Sequence, residues 1–559
     1  MPKITINEKE LEFTQGQTVI QVAREHGIDI PHFCWHPSLS VSGNCRICLV
    51  EIEKMPKLVI ACATLAADGM VVKANSEKTL DARRAVMEFL LINHPLDCPI
   101  CDEAGECKLQ DYAYDHSVGE SRFKEEKTHK PKRVAVGPNV MLDNERCILC
   151  SRCIRFCDEV VKEPQLLFTK RGDRVTLTTY PGKELDNNYA MNTIDLCPVG
   201  ALTSRDFRFK ARVWELSSTK SFCTGCARGC NDEIWVRNNI IMRLTPRFNK
   251  EVNNYWMCDH GRLNTFKYVN DETRVSLPQI RKDNVYETVA WPEAYKETLS
   301  ILKKYSKNQI AFIGSPYATC EDNYIFAKFA KDMGVANLDF QRHFDPEFGD
   351  ELLRRDDITP NSKGAELAGI RNGVGGFDIE GIINNIKDGK IKVVYLIDDD
   401  ILSYRPELDE VFNKLDFLIV HASNFNKTSE KANIIFPSST YAEKNGTMIN
   451  FEGRIQRLRP AVSVMEKDRS LDLMTVSRMD KFGTDFDRWA NKNRKDALST
   501  WKIIANMMNS VGHKYKYDMA ENVFNEMVNI IPELDGLDYD IIGDSGINIK
   551  SIAEKLHKV

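Results

Sequence analysis

Seventeen cysteines lie in this chain of 559 residues, and all but Cys320 fall into four spaced groups between residues 34 and 258. That arrangement constrains the fold more than any other feature. At this length the chain is too long for one core, and three to five domains are expected. A disulfide framework suits a small secreted chain. This chain is not small, and Met1-Pro2-Lys3 leads straight into strand-like alternation without an apolar leader segment. Dense CxxC spacing then points to metal.

The first group is Cys34, Cys45, Cys48 and Cys62, with Gly43 beside the CxxC. A loop cysteine, a close pair and a distant fourth form the plant-type pattern for a [2Fe–2S] cluster, although the first spacing is longer here. Structural zinc also accepts four cysteines, and spacing leaves it open. The second group is Cys98, Cys101 and Cys107, with His94 just upstream. Three thiols leave one corner of a [4Fe–4S] cubane free. A lone histidine is ordinarily a packed or solvated residue; the incomplete thiol set singles this one out as the fourth ligand. A neutral imidazole in place of a thiolate raises the potential, as in Rieske centres.

The third group, Cys147, Cys150, Cys153 and Cys157, is the CxxCxxCxxxC run of bacterial ferredoxins, and Cys197-Pro198 follows later. In two-cluster ferredoxins the fourth cysteine of a run serves the other cluster. Here the second run is missing. Cys197 is therefore expected to complete the set of Cys147, Cys150 and Cys153, leaving Cys157 as a small buried apolar residue. The fourth group is Cys223, Cys226, Cys230 and Cys258, with Gly225 and Gly229 keeping its loop tight; zinc again stays open on spacing. A cluster carries one electron at a time, so four in one chain make a relay. No nucleophile–histidine pair, Walker loop or dinucleotide GxGxxG stands out.

The rest of the chain reads as ordinary globular protein, 42% apolar and 28% charged with both signs mixed. A net charge of −5 gives no general attraction to nucleic acid. The apolar runs are far shorter than the ~20 residues of a membrane span, so a link to membrane is expected only through partners. Residues 1–75 read as a β-rich domain with a helix from Thr18 to near Gly27, and 79–93 as a helix ended by Pro95. Residues 98–215 show little periodicity. After about residue 272, apolar runs at Ile310–Ile313, Val393–Ile397 and Phe417–Val420 alternate with helical patterns, among them Ile379, Ile382, Ile383 and Ile386 behind Asp378. That alternation argues for a parallel α/β sheet. Residues 466–559 read as a polar tail with one helix near Trp501–Met508.

The stretches IPHFCWHPSLSVSGNCRICLVEIE at 30–53, NHPLDCPICDEAGECKLQD at 93–111, CILCSRCIRFC at 147–157 and LCPVGAL at 196–202 resemble the large iron–sulfur subunit of NADH:quinone oxidoreductase, respiratory complex I. Weaker similarity runs on to about 465 through NSKGAELAGI at 361–370 and AEKNGTMINFEGRIQR at 442–457, and this part looks like the molybdopterin oxidoreductase fold. The resemblance implies α+β N-terminal ferredoxin-like cluster domains followed by an α/β molybdopterin-oxidoreductase-like domain. The expected boundaries are a [2Fe–2S] β-grasp domain at 1–78, a His/Cys3 [4Fe–4S] segment at 79–118, a ferredoxin-like [4Fe–4S] domain at 119–215, and a further [4Fe–4S] segment at 216–272. A metal-free α/β domain at 273–465 and the tail at 466–559 complete the chain.

Carried over residue by residue, the resemblance gives Cys34, Cys45, Cys48 and Cys62 to the [2Fe–2S] cluster. It gives His94, Cys98, Cys101 and Cys107 to one [4Fe–4S] cluster, and Cys147, Cys150, Cys153 and Cys197 to a second. Cys223, Cys226, Cys230 and Cys258 match a third [4Fe–4S] site that some members keep, off the main path. Electrons would arrive from a flavin- and NADH-binding subunit and pass the [2Fe–2S], the all-cysteine and the histidine-ligated clusters. A partner with two more [4Fe–4S] clusters would take them toward quinone. The chain itself would hold no flavin, no molybdenum and no catalytic residue. It would sit with other peripheral-arm subunits on the cytoplasmic face of the inner membrane. Cys157 departs from the ligand pattern, and the chain is short for the family.

Molybdenum formate dehydrogenase α chains and iron-only hydrogenases share the N-terminal layout. The hydrogenase fails because its active-site cluster needs more cysteines downstream than Cys320 supplies. The formate dehydrogenase remains the alternative. Against it, the stretch Asn337–Asp345, where a molybdenum ligand would fall, has neither cysteine nor serine, and His343 is the candidate left there. A zinc-stapled scaffold is the non-redox alternative.

Overall fold

The computed structural model describes residues 1–117, 119–465 and 493–549. They form two compact units, Met1–Val213 and a second that begins at Trp214.

The first unit opens with a five-stranded sheet. In spatial order its strands are Lys9–Glu12, Lys3–Ile6, Met70–Lys73, Leu49–Ile52 and Val59–Ile60. The alternation seen in the sequence is used directly: Ile4, Ile6, Val50 and Val72 turn inward onto Val19, Ile20 and Val22 of the helix Val19–Glu25. That helix starts where the Gln21 side-chain oxygen accepts from the Thr18 N–H at 2.8 Å. The next helix spans Glu77–Leu91, beginning two residues before the expected start because Ser76 Oγ accepts from the Thr79 N–H at 3.3 Å. Beyond it the unit is made of small pieces. The helix Lys108–His116 follows Cys107, the strand Val140–Leu142 lies between Val134–Ala135 and Leu202–Ser204, and Leu166–Thr169 pairs with Thr176–Thr179.

The second unit begins with an antiparallel meander, Ser217–Phe222, Asn231–Arg237 and Ile240–Pro246. A seven-stranded sheet follows, in the order Val285–Thr288, Gln279–Lys282, Ile434–Pro437, Phe417–Ala422, Val393–Ile397, Ile310–Gly314, Leu338–Phe340. The last five of these are parallel. Their chain order across the sheet is 2-1-3-4-5 read from Leu338–Phe340, the doubly wound arrangement whose switch point lies between Ile310–Gly314 and Val393–Ile397. Val393, Tyr395 and Ile397 pack into one core while Val394 and Leu396 pack into another. Burial on both faces explains why these strands read as unbroken apolar runs. Asp378 caps the helix Ile379–Lys387 as expected, accepting from the Gly381 N–H at 2.8 Å.

The C-terminal expectation needs correcting. Of the stretch 466–559, residues 466–492 and 550–559 lie outside the described residues. The remainder is not a polar tail. Trp501, Ile504 and Met508 of the helix Thr500–Asn509, and Val523, Phe524 and Met527 of a second helix, Ala520–Ile530, belong to the main core of the sheet. Ile547–Asn548 pairs with Arg454–Leu458. The tail impression came from averaging over charged flanking sequence; each of these helices is amphipathic and hides one face.

Candidate metal centres

In the first group, Cys34, Cys48 and Cys62 are buried, and the thiols meet in two pairs. Cys34 and Cys45 share a hydrogen bond that holds the Cys34 thiol down to about 5 and pushes Cys45 up; Cys48 and Cys62 form the matching pair, Cys62 down and Cys48 up. The Cys34 N–H also donates to Cys45 Sγ at 3.4 Å. The loop at 31–48 and the turn after the strand Val59–Ile60 set the two pairs near each other.

The second group lies on the turn Cys98–Ile100 and at the start of the helix Lys108–His116. Cys101 and Cys107 are buried, whereas Cys98 is exposed. His94 stands in the turn that leaves the helix Glu77–Leu91. Lys127 Nζ pins that turn by donating to the Leu91 and Ile92 carbonyls at 2.8 and 2.7 Å, and Asn93 Oδ1 accepts from the Thr128 N–H at 3.0 Å. Burial pulls the His94 imidazole down to about 4, against the opposing pull of Asp97. A ring that is neutral at pH 7 is in the form that ligates metal.

Cys147, Cys150, Cys153 and Cys197 line one small cavity, closed by Phe168, Leu177, Val199, Ala201 and Leu202. Burial pushes all four thiols up. Cys157 does not line it. It is wholly buried in the irregular helical turn Phe156–Val161, with its thiol pushed up to about 12 by burial.

In the fourth group all four cysteines are buried. Gly225 N–H donates to Cys223 Sγ at 3.3 Å and Gly261 N–H to Cys258 Sγ at 3.4 Å. A Cβ at Gly261 would fall 2.7 Å from Cys223 Sγ. The hairpin bearing Cys226 and Cys230 is closed from outside by later sequence: Gln456 Nε2 donates to the Gly229 carbonyl, Asn450 Nδ2 to that of Arg228, and the Phe451 N–H to that of Ala227.

Among the described residues no three His, Cys, Asp or Glu side chains close on one point as the ligands of a single ion would. A cluster asks for something else, namely thiols spread around a bulky core with N–H donors aimed at sulfur. The four-thiol cavity, the N–H···S bonds and the glycines set against thiols fit that requirement.

The first three groups share one apolar cluster that contains Phe33, Cys34, Cys107, Cys150, Val199 and Ala201. The third group lies against both others. Arg155 donates to the Cys34 carbonyl at 2.5 Å and to that of Cys150 at 3.4 Å, and Asn44 donates to the Leu149 carbonyl at 3.0 Å. On the other side Cys107 Sγ approaches the Pro198 carbonyl at 4.0 Å, and a Cβ at Gly200 would collide with Cys101 Sγ.

The sequence matches five families in chain order. These are a "2Fe-2S iron-sulfur cluster binding domain" at 2–77, an "NADH-ubiquinone oxidoreductase-G iron-sulfur binding region" at 83–122, and an "NADH-quinone oxidoreductase subunit 3, ferredoxin-like domain" at 137–203. An "NADH-ubiquinone oxidoreductase NDSU1/NuoG-like, 4Fe-4S domain" follows at 217–265, and "Molybdopterin oxidoreductase" at 274–372 and 361–470. The G subunit of the NADH-quinone oxidoreductase of Rickettsia felis is 35% identical over 464 residues, 80% of this chain and 68% of that protein. The chain belongs to the family of NADH-quinone oxidoreductase G subunits. The G subunit of Rickettsia bellii is 40% identical over 60% of this chain, and the NADH-ubiquinone oxidoreductase 75 kDa subunit of Reclinomonas americana 38% identical over 65%. The chain spans about half the length of these two relatives, 49% and 53%. Membership of this family makes the chain an electron-carrying iron–sulfur component of an oxidoreductase; the formate dehydrogenase alternative is not favoured. Among the described residues no helix is long and apolar enough to cross a membrane.

The α/β part of this G-type chain has a cavity of about 490 Å³ at the carboxyl ends of its parallel strands, at the switch point. Sequence reasoning missed it, although the runs Gly314-Ser-Pro and Asp398-Asp-Asp after two strands were its signal. His343 lines it, 5% exposed, 3.1 Å from Asp399 Oδ1 and stacked on Tyr404 with ring centroids 4.1 Å apart. Lys444 also lines it, with Nζ 2.7 Å from Asp322 and 3.4 Å from Asp398. Cys320 lies in the core, where its Sγ donates to Asn361 Oδ1 at 3.6 Å.

Proposed function

We propose that this chain is the relay subunit of an NADH:quinone oxidoreductase, with one [2Fe–2S] and three [4Fe–4S] clusters on the four ligand sets named above. Up to residue 272 the domain boundaries are those that the resemblance implies. The observation that carries the reading is the packing of three groups into one apolar cluster with the third against both the first and the second. When bound, each cluster takes up and gives up one electron at a time. The chain's own residues do the rest. Arg155 and Asn44 hold the third group to the first, Arg212 donates to the Pro99 carbonyl at 2.5 Å and to that of Cys101, and the apolar lining excludes water. The exposed Cys98 end of the second group suits delivery to a partner carrying two further [4Fe–4S] clusters. A flavin- and NADH-binding subunit would supply the electrons. The chain would reach the cytoplasmic face of the membrane only through such partners.

The α/β part holds no molybdenum in this reading. Asp398, Asp399 and Asp400 line the cavity, and its lysine is already shared between Asp322 and Asp398. Such a lining does not fit the phosphates of a pterin nucleotide cofactor. The test is metal analysis of the anaerobically purified complex, with about 14 iron atoms per chain expected from the four sets. Zinc without iron would overturn the cluster reading. Stoichiometric molybdenum, or reduction of the clusters by formate, would move the chain to the formate dehydrogenase class.

A further inference from the structure

Arg152 is 5% exposed and directly precedes Cys153. Its guanidinium donates to the Trp35 carbonyl at 2.5 Å and to the Leu196 carbonyl at 3.3 Å. Trp35 follows Cys34, and Leu196 precedes Cys197, so the group bridges the backbones of the first and third cysteine sets. It lines the four-thiol cavity, and the Cys150, Cys45, Cys34 and Cys197 thiols lie near enough to act on it; among the described residues no carboxylate forms an ion pair with it. Arg146, also buried, makes the contrast: it is held by Asp97 at 2.7 Å and lies 3.5 Å from Asp143. A buried guanidinium without a carboxylate is strongly unfavourable unless another anion faces it. Here the facing groups are cysteines of two different ligand sets, which are anionic as thiolates when they hold a cluster.

We propose that Arg152 is the shared counter-ion of two cluster sites, that of Cys34, Cys45, Cys48 and Cys62 and that of Cys147, Cys150, Cys153 and Cys197, and that its fixed charge raises the reduction potential of both. One-electron reduction adds a negative charge to a cluster, and a cation fixed beside it in low dielectric favours the reduced form. Arg152 is a positioning residue and takes no electron itself. The inference rests on the ligand sets proposed above.

The test is an EPR-monitored redox titration of the whole complex carrying Arg152→Gln or Arg152→Lys. At an ambient potential where a wild-type cluster is half reduced, Arg152→Gln should lower the reduced-to-oxidised ratio about tenfold at both sites, a shift of about 59 mV for a one-electron couple. Arg152→Lys keeps the charge but loses the double bridge, so both potentials should stay near wild type. Unchanged potentials in the Gln variant, a shift at one site alone, or a Lys variant that falls as far as Gln would overturn the proposal. Should the Gln variant lose a cluster, the Lys titration decides: potentials held support the charge role, and potentials lowered refute it. Cys150→Ala tests the ligand reading separately. It should abolish one [4Fe–4S] signal and leave the [2Fe–2S] signal; survival of both would sink the ligand sets rather than the role of Arg152.

Discussion

Replacing Lys444 by Met should destabilise the second unit by about 3–5 kcal/mol at pH 7.5, the usual consequence of removing one member of a buried ion pair. The side chains of Lys444 and Asp322 are 3% and 0% exposed and 2.7 Å apart. At an effective dielectric of about 20 their attraction is about 6 kcal/mol, of which part is recovered when Asp322 takes up a proton. The pH dependence gives the sharper check. Burial pushes the Asp322 carboxyl up, but the charge and hydrogen bond of Lys444 outweigh it, so its native pKa lies below the ordinary value. In the wild type this group contributes stability above its unfolded pKa of about 4, lost as pH falls through the native value. Without Lys444 burial prevails and the native pKa rises above the unfolded one. Its contribution is then lost as pH rises through that window, so the gap between variant and wild type should widen from about pH 4 upward. Lys444→Met with Asp322→Asn should recover most of the loss, because the new amide oxygen can still accept from the Trp501 N–H, which lies 2.9 Å from Asp322 Oδ1 in the native chain. Urea-dependent pulse proteolysis, following fragments of the second unit, measures all three proteins. A loss below about 1 kcal/mol, or one that grows toward acid, would refute the reasoning.

Two further outcomes concern the cluster sets. His94→Cys should keep the second [4Fe–4S] cluster and lower its midpoint potential by an amount on the order of 100 mV, since a thiolate replaces a neutral ring; an unchanged potential in an EPR titration means that the imidazole is not a ligand. Cys157→Ala should leave every reduced-cluster EPR signal in place and lower stability by about 1 kcal/mol for the small cavity it makes. A missing signal in that variant means that the third set was assigned wrongly.

The cysteine groups were legible because a ligand set is a chemical inventory, fixed by residue type and spacing. The strands Ile310–Gly314, Val393–Ile397 and Phe417–Ala422 were legible because burial on both faces leaves an unbroken apolar run. What sequence could not display was packing between distant segments. Trp501 and Phe524 join a core whose strands lie more than 40 residues upstream, and no local period reports that. No local pattern marks Arg152; its meaning comes from the Trp35 and Leu196 carbonyls, brought to it by the fold. Cys98 showed the same thing in reverse, a ligand candidate by spacing whose exposed side chain only the structure could assign to a surface.

The closing of the Cys226–Cys230 hairpin by Asn450, Phe451 and Gln456 sets a timetable for biosynthesis. A ribosome adding ~5–20 residues per second needs roughly 10–45 s to travel from Cys230 to Gln456. The residues of the first unit are all translated before that interval begins. The nascent chain can therefore enclose its first three cysteine groups early, while the fourth stays open to solvent until its cover emerges. If the fourth set holds the cluster proposed for it, iron delivery there has a long window, and so does damage by oxidants. Slowing translation between residues 230 and 456 would lengthen both.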